Sequence, residues 1–278
     1  MSFTLIKGTF HIVGYSPDGD SIRFKANNLD LWKELGGRKV KKNARGHAQL
    51  RIEAIDTLET HYNGEHQPMT FAKKATDVLL EALGITHVVW NDNNTRVESA
   101  NDGTEGYILS RKTDNNGRPI AFLFSGSTPE ADGSTVYFTP ARLKDSVNYK
   151  QVLEGLAYPT YYKGLFHDLR ETLTQATEDA RSRGAGLWSI DKTTDGFEVT
   201  GLRSITEEHV ILPKLFRRLV KYIENGGNVS GFKDYLEESP EPILVLESAH
   251  FTNLDSVVSV VGNTVKLTVK PEGMVFLS

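Results

Sequence analysis

A succession of short β-rich runs, broken by turn residues, fills the first half of this chain and leaves few folds open to it. Thr9-Phe10-His11-Ile12-Val13 and Ser21-Ile22-Arg23-Phe24 flank Pro17-Asp18-Gly19-Asp20. Asp and Gly tolerate the positive φ of tight turns, so this is a hairpin signal. Ala48 to Ile55 alternates apolar and polar residues, as a half-buried strand does. His87 to Trp90 and Ile120 to Phe124 read as further strands, and Phe71, Ala75, Val78, Leu79 and Ala82 form a helical stripe between Met69 and Leu83. Five or so short strands with helices packed on them predict an α+β fold around a small closed barrel.

The rest of the chain changes character. Leu165 to Arg183 predicts a long amphipathic helix capped at Gly184 and followed by Gly186-Leu187-Trp188. Asp191 to Gly196 is polar and turn-rich, which predicts a linker between a domain at 1–192 and a small α+β module at 197–278. In that module Leu212, Leu215, Phe216, Leu219 and Ile223 share one helical face, while Lys214, Arg217, Arg218 and Lys221 lie largely elsewhere on the helix. Val229 to Glu238 predicts a second helix. Ile243 to Leu246, Val257 to Val261, Val265 to Val269 and Met274 to Leu277 predict strands. The module offers a surface for self-association or a protein partner, and its basic helix could extend a nucleic-acid surface. The plainer reading is a structural appendage.

No apolar run approaches the roughly 20 residues needed to cross a bilayer, so no membrane is expected. No basic segment followed by an apolar one opens the chain, which gives a cytoplasmic expectation. The absence of cysteine excludes disulfides, thiolate zinc sites and a cysteine nucleophile. A net charge of −4 argues against a strongly basic nucleic-acid coat protein, although an enzyme needs only a local positive patch.

Three segments carry the chemistry: Pro17 to Ser21, Arg51 to Glu59, and Gly117-Arg118-Pro119-Ile120-Ala121. Taken singly, each is ordinary: a turn, a strand end, a charged residue after a turn. Together they hold the parts needed to cut a phosphodiester bond. A hard cation prefers oxygen ligands, and Asp20, Asp56 and the Thr57 carbonyl would serve. Glu59 lies just beyond, placed to act as general base on a water. Arg51 and Arg118 could neutralise the phosphate with bidentate hydrogen bonds.

On these segments the chain resembles the staphylococcal nuclease (thermonuclease) family. The resemblance runs from about Gly8 to Asp191. It rests on Asp-Gly-Asp-Ser, on the Arg51 to Glu59 segment, on Gly-Arg-Pro-Ile-Ala, on Val152 to Tyr158, and on the long helix closing with Gly-Leu-Trp. It implies a five-stranded OB-fold barrel with packed helices. It also implies an endonuclease that hydrolyses DNA or RNA with little sequence preference. Asp20, Asp56 and Thr57 then take the positions of Ca²⁺ ligands, with Mg²⁺ the competing ion. Glu59 takes the general-base position, Arg51 and Arg118 the phosphate-contacting positions, and Tyr161 falls near an aromatic that flanks the nucleotide. The second reading is a binding module of the same fold that has lost catalysis.

Several departures stand out. Ser21 replaces the usual threonine. Leu58 replaces a proline, which predicts a looser loop around Glu59. Asn27 to His47 is longer than the family norm and rich in cations, among them Lys39, Lys41 and Lys42. It reads either as a solvated loop or as an arm that contacts the substrate backbone. Asn91 to Asn116 reads as a polar insertion.

Overall fold

A computed structural model describes residues 2–277. The chain divides into two compact units, one of residues 1–53 and 75–151, the other of residues 54–74 and 152–278. The boundary expected near residue 195 does not separate them.

The first unit contains a closed five-stranded barrel. Its strands are β1 (Ser2–His11), β2 (Ser21–Ala26) and β3 (Ala48–Ile52); after β4 (Ile55–Thr57), which belongs to the second unit, and the hairpin β5 (Thr86–Trp90) and β6 (Val97–Asn101), come β7 (Thr104–Thr113) and β8 (Pro119–Ser125). The ring closes as β1-β2-β3-β8-β7-β1, with β3 and β8 parallel and the other pairs antiparallel. β9 (Thr135–Tyr137) pairs with the start of β1. Leu5, Phe10, Phe24, Leu50, Ile108 and Phe122 fill the interior and are fully buried. Burying each such side chain contributes about 1.5–3 kcal/mol. Two glycines face each other across β1 and β7, Gly8 opposite Gly106. A Cβ on Gly106 would come within 2.4 Å of the Phe10 ring, so the bare backbone there makes room for the aromatic core.

Two expectations are corrected here. Asn91 to Asn116 is not an insertion, because it contains β6 and the ten-residue barrel strand β7. Buried Tyr107, Ile108 and Leu109 are masked in the sequence by polar residues at both ends of that strand. The run at His87 to Trp90 is a strand as expected, but among the described residues it pairs with β6 alone and lies outside the barrel.

The second unit opens at Ala54, which has φ of 69°. A left-handed non-glycine residue breaks a strand, so the alternating run Ala48 to Ile55 becomes two strands, β3 and β4. β4 pairs with β10 (Ala157–Pro159). β11 (Tyr161–Tyr162), β17 (Met274–Phe276), β13 (Pro242–Val245) and β14 (His250–Asn253) form one sheet, in that order; β12 (Phe197–Glu198), β16 (Thr264–Leu267) and β15 (Val258–Val261) form another. Of the helices, α1 (Met69–Ala82) and α3 (Val147–Leu153) span the division between units, α2 (Pro140–Leu143) lies in the first, and α4 (His167–Ser182), α5 (Pro213–Glu224) and α6 (Phe232–Glu238) lie in the second. No helix among the described residues is long and apolar enough to cross a membrane.

One core explains why the chain does not divide near residue 195. Leu58, Tyr158, Ala180, Leu187 and Trp188 bury with Leu215, Phe216, Leu219, Phe232, Val265 and Phe276 in a single apolar cluster. The expected linker is built into it. The Tyr158 hydroxyl donates to Asp191 Oδ1 at 2.6 Å, Thr193 Oγ1 donates to the same oxygen at 2.5 Å, and Thr193 Oγ1 accepts from the Leu212 N–H at 2.9 Å. Burial pushes the Asp191 carboxyl up, against the hydrogen bonds from Thr193 and Tyr158. This chain of bonds fixes the start of α5 relative to β10, and through β10 relative to β4.

Candidate active site

The barrel unit positions Asp20, Arg51 and Arg118 at one end of three adjacent strands. The Asp20 carbonyl accepts from the Ile52 N–H at 2.9 Å. Arg51 lies opposite Ser21 on β2 and Ile120 on β8. Arg118 stands in the turn entering β8, and a residue the sequence reading passed over aims it. Asp114 Oδ1 accepts from the backbone N–H groups of Asn116 (2.8 Å) and Arg118 (2.9 Å), while Oδ2 accepts from Arg118 Nε at 2.7 Å. Burial opposes the Asp114 charge, yet these hydrogen bonds and the guanidinium hold its carboxyl below the usual range. The Nη groups of Arg118 make no hydrogen bond among the described residues, and its side chain is 33% exposed. The signal was present as an aspartate four residues before the arginine, in an Asp-Asn-Asn-Gly turn.

Lys39, Lys41 and Lys42 are exposed and flank the same turn. The Lys41 N–H donates to the Gly117 carbonyl at 3.0 Å. Their segment is anchored: Trp32, Leu35 and Val40 are buried, and Thr113 Oγ1 donates to the Arg38 carbonyl at 2.7 Å. It is a fixed ledge beside Arg118 and not a free solvated loop.

The second unit carries the acidic residues. Asp56 and Thr57 sit on β4 opposite Tyr158 and Ala157, and both are buried. The expected loosening at Leu58 does not occur, because Leu58 is itself 1% exposed in the core. Buried Gln67 then pins the Glu59 loop. Its Oε1 accepts from the Glu59 N–H at 3.2 Å, its own N–H donates to the Glu59 carbonyl at 2.8 Å, and its Nε2 donates to the Ile211 carbonyl at 2.8 Å.

Arg217 of α5 meets both carboxylates. Its Nη1 and Nη2 donate to Asp56 Oδ1 and Oδ2 at 3.0 and 2.7 Å, and Nη1 also reaches Glu59 Oε1 at 2.5 Å. Burial works against the guanidinium charge, but Asp56 and Glu59 outweigh it and raise its pKa well above the ordinary value. Asp56 and Glu59 therefore share the Arg217 guanidinium. So arranged, they do not fit a divalent ion, since both Asp56 oxygens and one of Glu59 already accept from Arg217. Among the described residues no group of three or more His, Asp or Glu side chains is disposed to hold a metal.

The basic character of α5 is accordingly internal. Lys214 is buried, 2.6 Å from Glu241 and 4.0 Å from the Phe276 ring centre, and Arg218 pairs with the same Glu241. This removes three of its four cations from a nucleic-acid surface. Tyr161 is also corrected. Its ring is fully buried and its hydroxyl meets Thr174 Oγ1 at 2.9 Å, so it packs the core and has no face for a nucleotide.

A search of curated proteins gave no match. A family model described as staphylococcal nuclease homologue matches residues 49–190, more than half of the chain, a stretch holding Arg51, Asp56, Thr57, Glu59 and Arg118 but beginning after Asp20. With that match, and a closed five-stranded barrel, the chain belongs to the staphylococcal nuclease homologue family.

Proposed function

We propose that the chain is a phosphodiesterase acting on nucleic acid, an endonuclease of its family's kind, restrained by Arg217. The observation that carries this reading is the preparation of Arg118: Asp114 occupies its Nε and backbone N–H, while its Nη fork makes no hydrogen bond among the described residues and Lys39 and Lys41 run alongside. A guanidinium fixed in this way suits a phosphate.

In this reading Arg51 and Arg118 bind the phosphodiester and offset the charge that grows on its oxygens as water attacks phosphorus. Glu59, once released by Arg217, accepts the proton of that water. The Ca²⁺ requirement typical of the family carries over only with Arg217 withdrawn, and no step is routed through a metal here. Asp20, Asp56 and Thr57 remain the proposed ligands of that opened state.

The grip of Arg217 also favours a second reading, a nucleic-acid-binding module held permanently inactive. Cleavage of labelled single- and double-stranded DNA and RNA, with Ca²⁺, Mg²⁺ or EDTA, tests both. Turnover by the native chain or by Arg217→Met, lost by about 100-fold or more on adding Glu59→Gln, supports the enzyme. Binding without cutting in every variant replaces it with the module.

A further inference from the structure

On the barrel unit a second cationic cluster lies around Tyr15, apart from Arg118 in sequence and made by other residues. The Arg23 guanidinium stands 5.1 Å from the Tyr15 ring centre and that of Arg45 stands 6.0 Å from it. Arg96 joins them through the backbone: the Val97 N–H donates to the Tyr15 carbonyl at 2.9 Å and the Gly14 N–H donates to the Val97 carbonyl at 2.8 Å. Gly14 has φ of +87°, and a Cβ placed on it would lie 3.2 Å from Arg96 Nη2 and 3.6 Å from Arg45 Nη1. Two guanidinium groups thus approach one point above a bare glycine.

The neighbouring charges sharpen the imbalance. Among the described residues no carboxylate lies within 4.0 Å of Arg23, Arg45 or Arg96. The nearby acid, Asp102, is taken up by His11 and by the Ile12 and Val13 N–H groups. Beside them, burial first, then His11, Lys25 and Arg45, push the His47 pKa down to about 4. Like charges gathered without a counter-ion are stabilised by an anion, and the Tyr15 ring, with guanidiniums over it, holds two of these cations together.

We propose that Arg23, Arg45, Arg96 and Tyr15 form a binding site for backbone phosphates of a nucleic-acid strand, in addition to Arg51 and Arg118. The inference deepens the nuclease reading by giving the substrate strand a second hold, and it rests on that reading for its choice of ligand.

The test is fluorescence anisotropy of the full chain with a labelled 12-nucleotide single strand in EDTA, across a salt series, with inorganic phosphate as competitor. Arg45→Ala combined with Arg96→Ala should weaken binding about 10-fold, and the salt slope should fall by about 1.4 for two lost single-strand contacts. In the native chain the His47 ring, followed by NMR, should titrate higher with the strand bound. The double variant should lose that shift while keeping its thermal midpoint. An unchanged affinity and slope overturns the proposal, as does saturation by inorganic phosphate alone with no binding of the strand. Strand binding through these residues by a chain that cuts nothing upholds the site and removes only the nuclease reading.

Discussion

Arg118 and Arg217 are both arginines held by carboxylates, and they are held for opposite ends. Asp114 grips Arg118 from four residues away through Nε and leaves its terminal fork open. Asp56 and Glu59 grip Arg217 from about 160 residues away through both Nη groups. The first arrangement aims a cation at something outside the protein. The second spends the cation on the two carboxylates to which the proposed function assigns the chemistry. A paired charge is therefore not one kind of feature: which nitrogens the partner takes decides whether the guanidinium is presented or consumed.

Removing Arg217 separates the two cases most strongly. Arg217→Met keeps the apolar stem in the core and deletes the fork. Releasing a part-buried charge pair of this kind is worth about 3 kcal/mol, so calorimetry should show Ca²⁺ binding strengthened by on the order of 100-fold. The melting temperature should fall, because Asp56 and Glu59 then repel each other, and Ca²⁺ should restore it. If Ca²⁺ affinity is the same with and without Arg217, the clamp does not govern this site.

The coupling between the Glu59 loop and α5 comes next. Gln67 bonds to both Glu59 and Ile211, so Gln67→Ala removes both bonds and takes the donor from the buried Ile211 carbonyl. A loss of about 2 kcal/mol in urea unfolding is expected. Gln67→Glu, which keeps the acceptor for Glu59 but sets a buried carboxylate against the Ile211 carbonyl, should cost at least as much. A neutral Gln67→Ala would mean that the side chain of Gln67 does not hold the loop.

Arg118 should respond through its aim and not through its charge. In Asp114→Ala the guanidinium remains but loses its support, and kcat should drop by about 10-fold with the fold intact. Asp114→Asn, which can still accept from the turn N–H groups, should lie between. A variant with native kcat and raised KM would instead assign Asp114 to binding.

The same contrast sorts what the sequence disclosed. Local chemistry was legible: the Asp-Gly-Asp turn, the stripe of α1, the Gly184 cap and the order of segments around Arg51, Glu59 and Arg118 led to the barrel and its family. What failed was long-range. Arg217 reads as one cation among four on a helix, because nothing within its own element reveals that Asp56 faces it. β7 was lost because its apolar centre is short and its ends are charged, so periodicity diluted over ten residues resembles an insertion. Asp191 and Thr193 read as a linker because polar residues predict exposure. Here Thr193 is buried and Asp191 half-buried, since each has a partner in the Tyr158 and Leu212 bonds.

The smallest expected effect lies at His47, whose ring is 6% exposed and stacks on His11 with centres 4.1 Å apart. Its folded pKa of about 4 lies below the 6.5 of an unfolded histidine. Between those values the unfolded chain binds a proton that the folded chain refuses, so stability falls as pH drops through that window and changes little above it. The loss should reach about 1 kcal/mol near pH 5.5, seen as a falling melting temperature, and His47→Gln should flatten it. Because cations around Tyr15 contribute to the shift, Arg45→Ala should flatten it in part. A strand bound at Tyr15 should do the same in the native chain. Arg217→Met should leave this slope as it is, since none of the charges credited with the His47 shift belongs to α5.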